Sequence, residues 1–281
     1  MSAEVLQGGP VAKEISAAAK KQLANLAVRP RVVALHNPES PAAGYYMRQQ
    51  KKAFAEAGVE YEVRMLAAGT AEAAVLRLVQ DLNRENRVTG ITVHTPLPAG
   101  VDADRVMRAI APAKDIEGIH PENLGRLAFG EHLPAPCAAG AAVELARRAR
   151  PEGFKGLEAV VVGRSALVGK AIALLLLQSK KDAPTPTICH TATPDLGAVT
   201  RRADLLFAAA GRAGLIRGDM VKKGAVVIDV GINETADGKL VGDVVFDEAR
   251  ELASVITPVP GGVGPVCLSL LLRNLLACAA G

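Results

Sequence analysis

The stretch VVVGRSALVGKAIALLL, residues 160–176, decides the fold. A short run of β-branched residues passes through Gly163 into a long apolar run with helical character. The segment LEAVVVG (157–163) is expected as a buried strand. SALVGKAIALLLLQ (165–178) is expected as a helix starting within two residues of it. Gly163 can adopt a positive φ and lets backbone approach a ligand, and the free N–H groups at the helix start can hold a phosphate. The glycines at 163 and 169 are six apart, so this is not GxGxxG. The plainer reading, a βα turn that glycine packs closely, is as good on this stretch alone.

Working outward, strand and helix patterns alternate along the chain. Downstream come TPTICHT, ADLLFAAAG (203–211) and GAVVIDVGI (224–232) as strands, DEARELAS as a helix, VITPVP as a last strand and an apolar helix over 266–279. Upstream, residues 11–27, 44–57, 71–86 and 102–110 read as helices, the third with Ala74, Leu78 and Leu82 on its apolar face. RVVAL, VEYEVRML and GITVHT read as the strands between them. The segment 112–139 is expected to be irregular and, at that length, functional. Helix resumes at 140–149. This alternation predicts an α/β protein with parallel sheet. Its 281 residues allow two domains, 1–139 and 140–265, with the terminal helix free to pack back on the first.

Composition excludes several function classes. Hydrophobic residues make up 49% of the chain, enough for a real core, so disorder is not expected. The net charge of +4 is carried by scattered short basic runs, and aromatics are only 3%. Neither a phosphate-tracking stripe nor a base-stacking platform is expected, hence no nucleic acid. Cys137, Cys189, Cys267 and Cys278 are far apart, without a CxxC pair, which fits a reducing compartment. The N-terminus lacks a secretory pattern. The longest apolar run, AIALLLL (171–177), is too short to span a bilayer. A cytoplasmic protein without a membrane partner is expected.

Several residues are candidates for chemistry. In NAD sites an acidic residue ends the second strand of the nucleotide fold. Here that strand ends Cys189-His190-Thr191, and Arg164 lies in the glycine turn. A hydroxyl and an arginine suit a 2′-phosphate, so NADP is preferred over NAD. A strand-end hydroxyl capping a turn is the commoner role for Thr191. ITPVPGGVGP (256–265) holds prolines and glycines dense enough to fix an unusual backbone path against a flat ligand. Asp115, Glu117, His120 and Glu122 crowd one loop, but their spacing matches no metal site. His94 stands at a strand's C-terminal end, the side where open α/β sheets bind ligands. In GYYMRQQKKA (44–53), Tyr46 and Gln50 are one turn apart on one helix face.

The segments TPLPAG (95–100), KDIEGIHPENLGRL (114–127), VVVGRSALVGK (160–170), KKGAVVIDVGIN (222–233), GKLVGDVVFDEA (238–249) and ITPVPGGVGP (256–265) resemble, over nearly the whole chain, the methylenetetrahydrofolate dehydrogenase/cyclohydrolase family. The resemblance implies an N-terminal folate-binding domain completed by the C-terminal helix 266–281, a Rossmann-type domain, an active-site cleft between the two, and a homodimer. The implied activity is hydride transfer from 5,10-methylenetetrahydrofolate to NAD(P)⁺, followed in most members by hydrolysis of the methenyl product. It also implies that Tyr46 stacks on folate, that Pro260, Gly261 and Gly262 line the cleft, and that Gly163, Arg164, Ser165, Gly169, Thr191 and the Ile232 backbone hold the cofactor.

The departures are as informative. The family's active-site helix reads P-A-S-x-x-Y-V-x-x-K-x-K-A. Residues 41–53 read PAAGYYMRQQKKA, so Gln50 stands at the catalytic lysine and Ala43 at the serine. Sliding Lys51 or Lys52 into place breaks the match at Tyr46 and turns the side chain by about 100° or more. The glutamine of V-Q-L-P-L-P is His94, and the aspartate of D-V-D-G is Glu117. The P-C-T-P loop reads Pro136-Cys137-Ala138-Ala139. Hydride transfer needs mostly placement, whereas hydrolysis needs proton transfers that Gln50 cannot perform. The expectation is an NADP-dependent dehydrogenase with weak or absent cyclohydrolase activity. Two alternatives stand beside it. In one, His94 replaces the base and both activities persist. In the other, the chain is a non-catalytic paralogue or acts on a different pterin.

Overall fold

The computed structural model describes residues 2–131 and 134–280. Met1, His132, Leu133 and Gly281 lie outside the described residues, and with them the first residue of the domain expected over 1–139, two positions of the 112–139 segment and the last residue of the helix expected over 266–281. In chain order the elements are β1 (Glu4–Val5), α1 (Gly8–Leu23), β2 (Arg31–His36), α2 (Pro41–Glu56), β3 (Glu60–Met65), α3 (Glu72–Arg84), β4 (Gly90–His94), α4 (Ala103–Ala109), α5 (Pro121–Ala128) and α6 (Cys137–Ala149). There follow β5 (Glu158–Val162), α7 (Gly169–Leu176), β6 (Thr185–Cys189), α8 (Leu196–Thr200), β7 (Leu205–Ala208), β8 (Val226–Asp229), β9 (Asn233–Glu234), β10 (Leu240–Val241), α9 (Phe246–Arg250), β11 (Val255–Ile256) and α10 (Val263–Ala280).

The chain forms two compact units, neither of them continuous in sequence. One is Glu14–Ala135 with Leu268–Gly281; the other is Met1–Lys13 with Pro136–Cys267. The first 13 residues therefore leave the domain expected over 1–139. The reason is strand pairing. β1 runs parallel to β11, Glu4 beside Val255 and Val5 beside Ile256. The Gly8 N–H then donates to the Gly261 carbonyl at 2.8 Å.

In the Glu14–Ala135 unit, β3, β2 and β4 form a parallel sheet in that order. Side chains alternate across it. Val33, Leu35, Ile91 and Val93 share one face and pack with Val75, Val79 and Leu82 of α3 and Val106 of α4. The buried stripe of α3 is thus 75, 79 and 82, not the expected 74, 78 and 82; Ala74 is exposed. Both stripes fit a helical period, and the β-branched valines pack better on the pleated surface. The opposite face carries Tyr61, Ala34, His36, Thr92 and His94, with His36 directly beside His94 in the register. Helix α2 provides Gln50 and Phe54, both fully buried, and the Phe54 ring stacks on Tyr61 at 5.3 Å. It begins at Pro41 because Ser40 caps it, its Oγ accepting from the Ala43 N–H at 3.2 Å.

The segment expected to be irregular contains a 3₁₀ turn, Pro112–Lys114, and α5, whose start is marked by Pro121 at its first position and by the His120 ring accepting from the Glu122 N–H. Helix α10 is the one helix among the described residues long and apolar enough to cross a membrane. Leu270, Leu271, Leu272 and Leu275 on it are buried. Asn274 donates to the Ile116 and Ala135 carbonyls at 2.9 and 2.8 Å, which ties the helix into the unit's core.

In the other unit six of the eight described strands form one parallel sheet, in the order β6-β5-β7-β8-β11-β1, and β9 and β10 pair antiparallel with each other. The chain leaves β5 toward β6 and returns on the other side at β7. This is the reversal of strand order at which doubly wound sheets bind ligands beyond their strand C-termini. One sheet face, with Val160, Val162, Leu206, Ala208, Val227 and Ile256, packs with Leu196, Val199, Phe246 and Ala249 of α8 and α9. Helix α7 starts at Gly169 rather than 165, because residues 163–168 form a loop held by the close approach of Gly169 to Gly163.

Candidate active site

On the polar face of the three-stranded sheet, three side chains close a hydrogen-bonded ring. The Tyr61 hydroxyl donates to Gln50 Oε1 at 3.0 Å, His94 Nε2 lies 3.1 Å from the same oxygen, and the hydroxyl and Nε2 are 3.3 Å apart. Gln50 is wholly buried and His94 is 3% exposed. Gln50 Nε2 and His94 Nδ1 are buried without a partner. The His94 ring meets Tyr46 edge-on at 6.2 Å and His36 at 5.4 Å. Tyr46, Gln50 and His94, separate in sequence, are therefore neighbours.

The electrostatics of this group follow from burial. Desolvation, helped by His36, pushes the His94 imidazole down to about 4, so it is neutral at pH 7. Desolvation and the nearby Glu117 carboxylate raise the Tyr61 phenol above its usual range. Glu117 lies beyond the 3₁₀ turn, where Asp115 bridges to Ile91 of β4, and it accepts from the Thr92 hydroxyl. Desolvation pushes its carboxyl up to about 7, against the Thr92 bond and with help from Asp115. Among the described residues, no lysine or arginine contributes to the His94 or Glu117 shift.

Asp115 has a structural part. Its carboxylate accepts from the N–H groups of Glu117, Gly118 and His120 and from Asn123. That bonding holds the loop which presents Glu117. Among the described residues no three His, Cys, Asp or Glu side chains gather as metal ligands.

In the six-stranded unit, Gly163 has φ 132°. A Cβ there would lie 2.1 Å from the Ala209 carbonyl oxygen after β7, and one on Gly169 would lie 2.0 Å from the Gly163 carbonyl oxygen. Both glycines are required by close packing, which also brings the loops after β5 and β7 together at the switch point. The Ser165 Oγ accepts from the Gly169 N–H at 3.4 Å. The Gly163 N–H donates to the Cys189 carbonyl at 2.9 Å, so the turn carrying Arg164 and Ser165 starts beside the strand end that leads to Thr191. Arg164, Ser165 and Thr191 are exposed.

The loop after β7 is held by a residue that sequence reading passed over. Asp243, fully buried, accepts from the N–H groups of Ala210, Gly211 and Arg212 and from Asn233. Asp229 accepts from Gly231, Asp243 and Val244 in turn, and desolvation pushes it up to about 6. A Cβ on Gly231 would strike Asp243, and one on Gly242 would strike Asp229. The GIN and VGD motifs thus interlock and leave Ile232 64% exposed between them. Gly242 and Asp229 also wall a cavity of about 400 Å³ with Val259, the residue before Pro260.

The Pro260–Gly262 loop packs on the start of α1. A Cβ on Gly8 would sit 1.8 Å from the Gly262 carbonyl oxygen. Much of its glycine density answers to that approach. The other residues missed in the sequence are Tyr61, His36 and Thr92; the available signal was their alternation along β2, β3 and β4, which needs the register to be read.

A doubly wound sheet with a glycine-locked turn at its switch point, joined in one chain to a second α/β unit with a buried polar cluster, defines a two-domain nucleotide-dependent enzyme. The chain belongs to the tetrahydrofolate dehydrogenase/cyclohydrolase family. That family's catalytic-domain model matches residues 6–117 and its NAD(P)-binding-domain model residues 136–281. The chain is 43% identical over 282 residues to the bifunctional protein FolD of Moorella thermoacetica, covering 99% of both. It is 46% identical to that of Chloroflexus aurantiacus, covering 98% of this chain and 97% of the other. Among solved structures it resembles the bifunctional FolD methylenetetrahydrofolate dehydrogenase/cyclohydrolase of Campylobacter jejuni (TM-score 0.92, 36% identity, 99% of both chains). It also resembles the Trypanosoma brucei methylenetetrahydrofolate dehydrogenase-cyclohydrolase complexed with NADP and an inhibitor (TM-score 0.90, 36% identity, 100% and 98% covered).

Proposed function

We propose that this chain is an NADP-dependent 5,10-methylenetetrahydrofolate dehydrogenase whose methenyl hydrolysis is weak. NADP, when bound, supplies the hydride acceptor. Gly163, Gly169 and the Ser165 turn provide the close backbone approach at the switch point, and Arg164 and Thr191 recognise the 2′-phosphate. Tyr46 stacks on the folate and Glu117 binds its pterin amino groups. A homodimer in the cytoplasm is part of the same reading.

The observation that carries the hydrolysis claim is the closed neutral ring of Gln50, Tyr61 and His94. Hydrolysis requires a group that takes a proton from water and returns one to the leaving nitrogen. Gln50 does not titrate. His94, pushed down to about 4, is a poor base at pH 7, since effective proton transfer wants a pKa near the working pH. That argues against His94 as a replacement for the lysine.

The test mixes purified protein with methylenetetrahydrofolate and NADP⁺, and follows NADPH and methenyl absorbance together. NADPH formation with matching methenyl accumulation is expected. Methenyl that disappears faster than its spontaneous hydrolysis would overturn the claim. No reduction with NADP⁺ or NAD⁺ would favour a binding protein or a different pterin.

A further inference from the structure

We infer that Tyr61 is a positioning residue of the folate site, one that locks Gln50 and His94 in a single hydrogen-bonding state: His94 carries its proton on Nε2 and leaves Nδ1 bare, and the Gln50 carboxamide oxygen is engaged while its NH₂ remains free. The inference deepens the dehydrogenase reading and, for its kinetic part, rests on it.

The argument is a count of donors and acceptors. The Tyr61 hydroxyl hydrogen has two acceptors in reach, Gln50 Oε1 at 3.0 Å and His94 Nε2 at 3.3 Å. If it goes to Oε1, then His94 Nε2–H also donates to Oε1, at 3.1 Å. Both short contacts are then made, and the bare atom on the ring is an acceptor, Nδ1. If the hydroxyl goes to Nε2, the ring must carry its proton on Nδ1, a buried donor with no acceptor. Gln50 Nε2 is bare in both states, so the ring atom decides: unpaired buried donors are rarer than under-used acceptors, and the first state wins. Tyr61 is itself fixed, because its ring stacks on Phe54, which is fully buried. It comes from β3, on the same sheet face as His94 of β4, and so braces α2 against the sheet at Gln50.

The consequence for function is that one acceptor, His94 Nδ1, and one donor pair, the Gln50 NH₂, are held uncharged next to Tyr46. Both atoms are buried, so the pair acts on a ligand through the Tyr46 ring beside it rather than by touching it. It contributes to binding of substrate and transition state alike, so its loss appears in KM rather than kcat.

The test is Tyr61→Phe, which keeps the stack on Phe54 and removes only the hydroxyl. The first readout needs no substrate: ¹⁵N NMR of the His94 ring. The wild-type enzyme is expected in the Nε2–H form, and Tyr61→Phe is expected as a mixture of both tautomers. A wild-type ring in the Nδ1–H form, or a variant ring unchanged from wild type, overturns the inference. The second readout is kinetic. KM for methylenetetrahydrofolate is expected to rise about 2- to 10-fold, the worth of one neutral hydrogen bond, with kcat changed by less than about twofold. If Tyr61 acts through Gln50, the Tyr61→Phe/Gln50→Leu double variant loses no more than Gln50→Leu alone; additive losses overturn it. Should the wild-type chain show no turnover at all, the dehydrogenase reading fails, while the tautomer measurement still decides the role of Tyr61.

Discussion

Gln50 cannot titrate, whereas Glu117 titrates near neutrality. Gln50→Lys returns an ammonium to a fully buried position, where desolvation lowers its pKa toward neutrality. Methenyl hydrolysis should rise at least ~10-fold, out of the roughly 10²–10⁴ that a general acid/base supplies, with NADPH formation little altered. The ratio of methenyl to NADPH measures it, and an unchanged ratio would show that something other than Gln50 limits hydrolysis. For Glu117 the folded carboxyl titrates near 7, above its ordinary 4.5, because burial penalises the anion. The folded state thus holds this proton more tightly than the unfolded chain. The associated stability is full below pH 4.5 and is lost as pH rises through 7. Urea midpoints should fall between pH 6 and pH 8.5 in the wild type, by on the order of 1 kcal/mol or more in stability. Glu117→Gln should be flatter over that range, since an amide oxygen can still accept from Thr92. At this scale the sequence exposed the substitutions at 50, 94 and 117, because each falls inside a long motif. Tyr61 lay in VEYEVRML with nothing to mark it. Only the register, which sets β3 and β4 on either side of β2, brings its hydroxyl to His94.

Among the elements, strand and helix existence was legible because periods of 2 and 3.6 survive in short windows. Element starts were less so. The helix expected from 165 begins at Gly169, since the Gly163 carbonyl fills the space a Cβ on Gly169 would need and the Ala209 carbonyl fills that of a Cβ on Gly163. That constraint is a contact between loops distant in sequence. The start of α5 was legible after all, in Pro121 behind a capping His120, but the density of charged residues around it read as loop. The interlock of Asp229 and Asp243 makes a prediction at the same scale. Asp243→Asn places an NH₂ against backbone donors that the carboxylate now accepts from, at Ala210, Gly211 and Arg212. The change leaves at least one of these N–H groups without its acceptor and should cost about 1–3 kcal/mol. The expected outcome is a lower thermal midpoint together with weaker NADP binding by titration calorimetry. Asp243→Asn with wild-type stability and NADP affinity would show that the loop after β7 does not depend on this carboxylate.

At the scale of the whole molecule, the N-terminal end departs from the block order suggested by the sequence, whereas residues 268–281 group with Glu14–Ala135 as the reading of the terminal helix expected. The helix patterns gave no hint that the first residues pair with β11, since a two-residue strand is too short to show alternation. Yet that short strand is well anchored. Ala3 and Glu4 donate to the Arg250 and Ser254 carbonyls at 2.7 and 2.9 Å, Leu6 donates to Ile256 at 2.9 Å, and Gly8 follows onto Gly261. Deleting residues 2–7 removes all but the last of these bonds and uncovers the edge of β11, the strand that leads into the Pro260–Gly262 loop. The sheet of β3, β2 and β4 shares none of them. Hydrogen exchange should therefore split by unit: amides of 255–262 should exchange faster by about 10-fold or more, the effect of losing ~1.4 kcal/mol of local stability. Amides of β2 and β4 should keep their wild-type rates. If Pro260–Gly262 takes part in placing the folate, NADP affinity should change less than KM for the folate. Unchanged protection at 255–262 would mean that β11 and its loop stand without β1, and the pairing of the N-terminus would then have no part in shaping that loop.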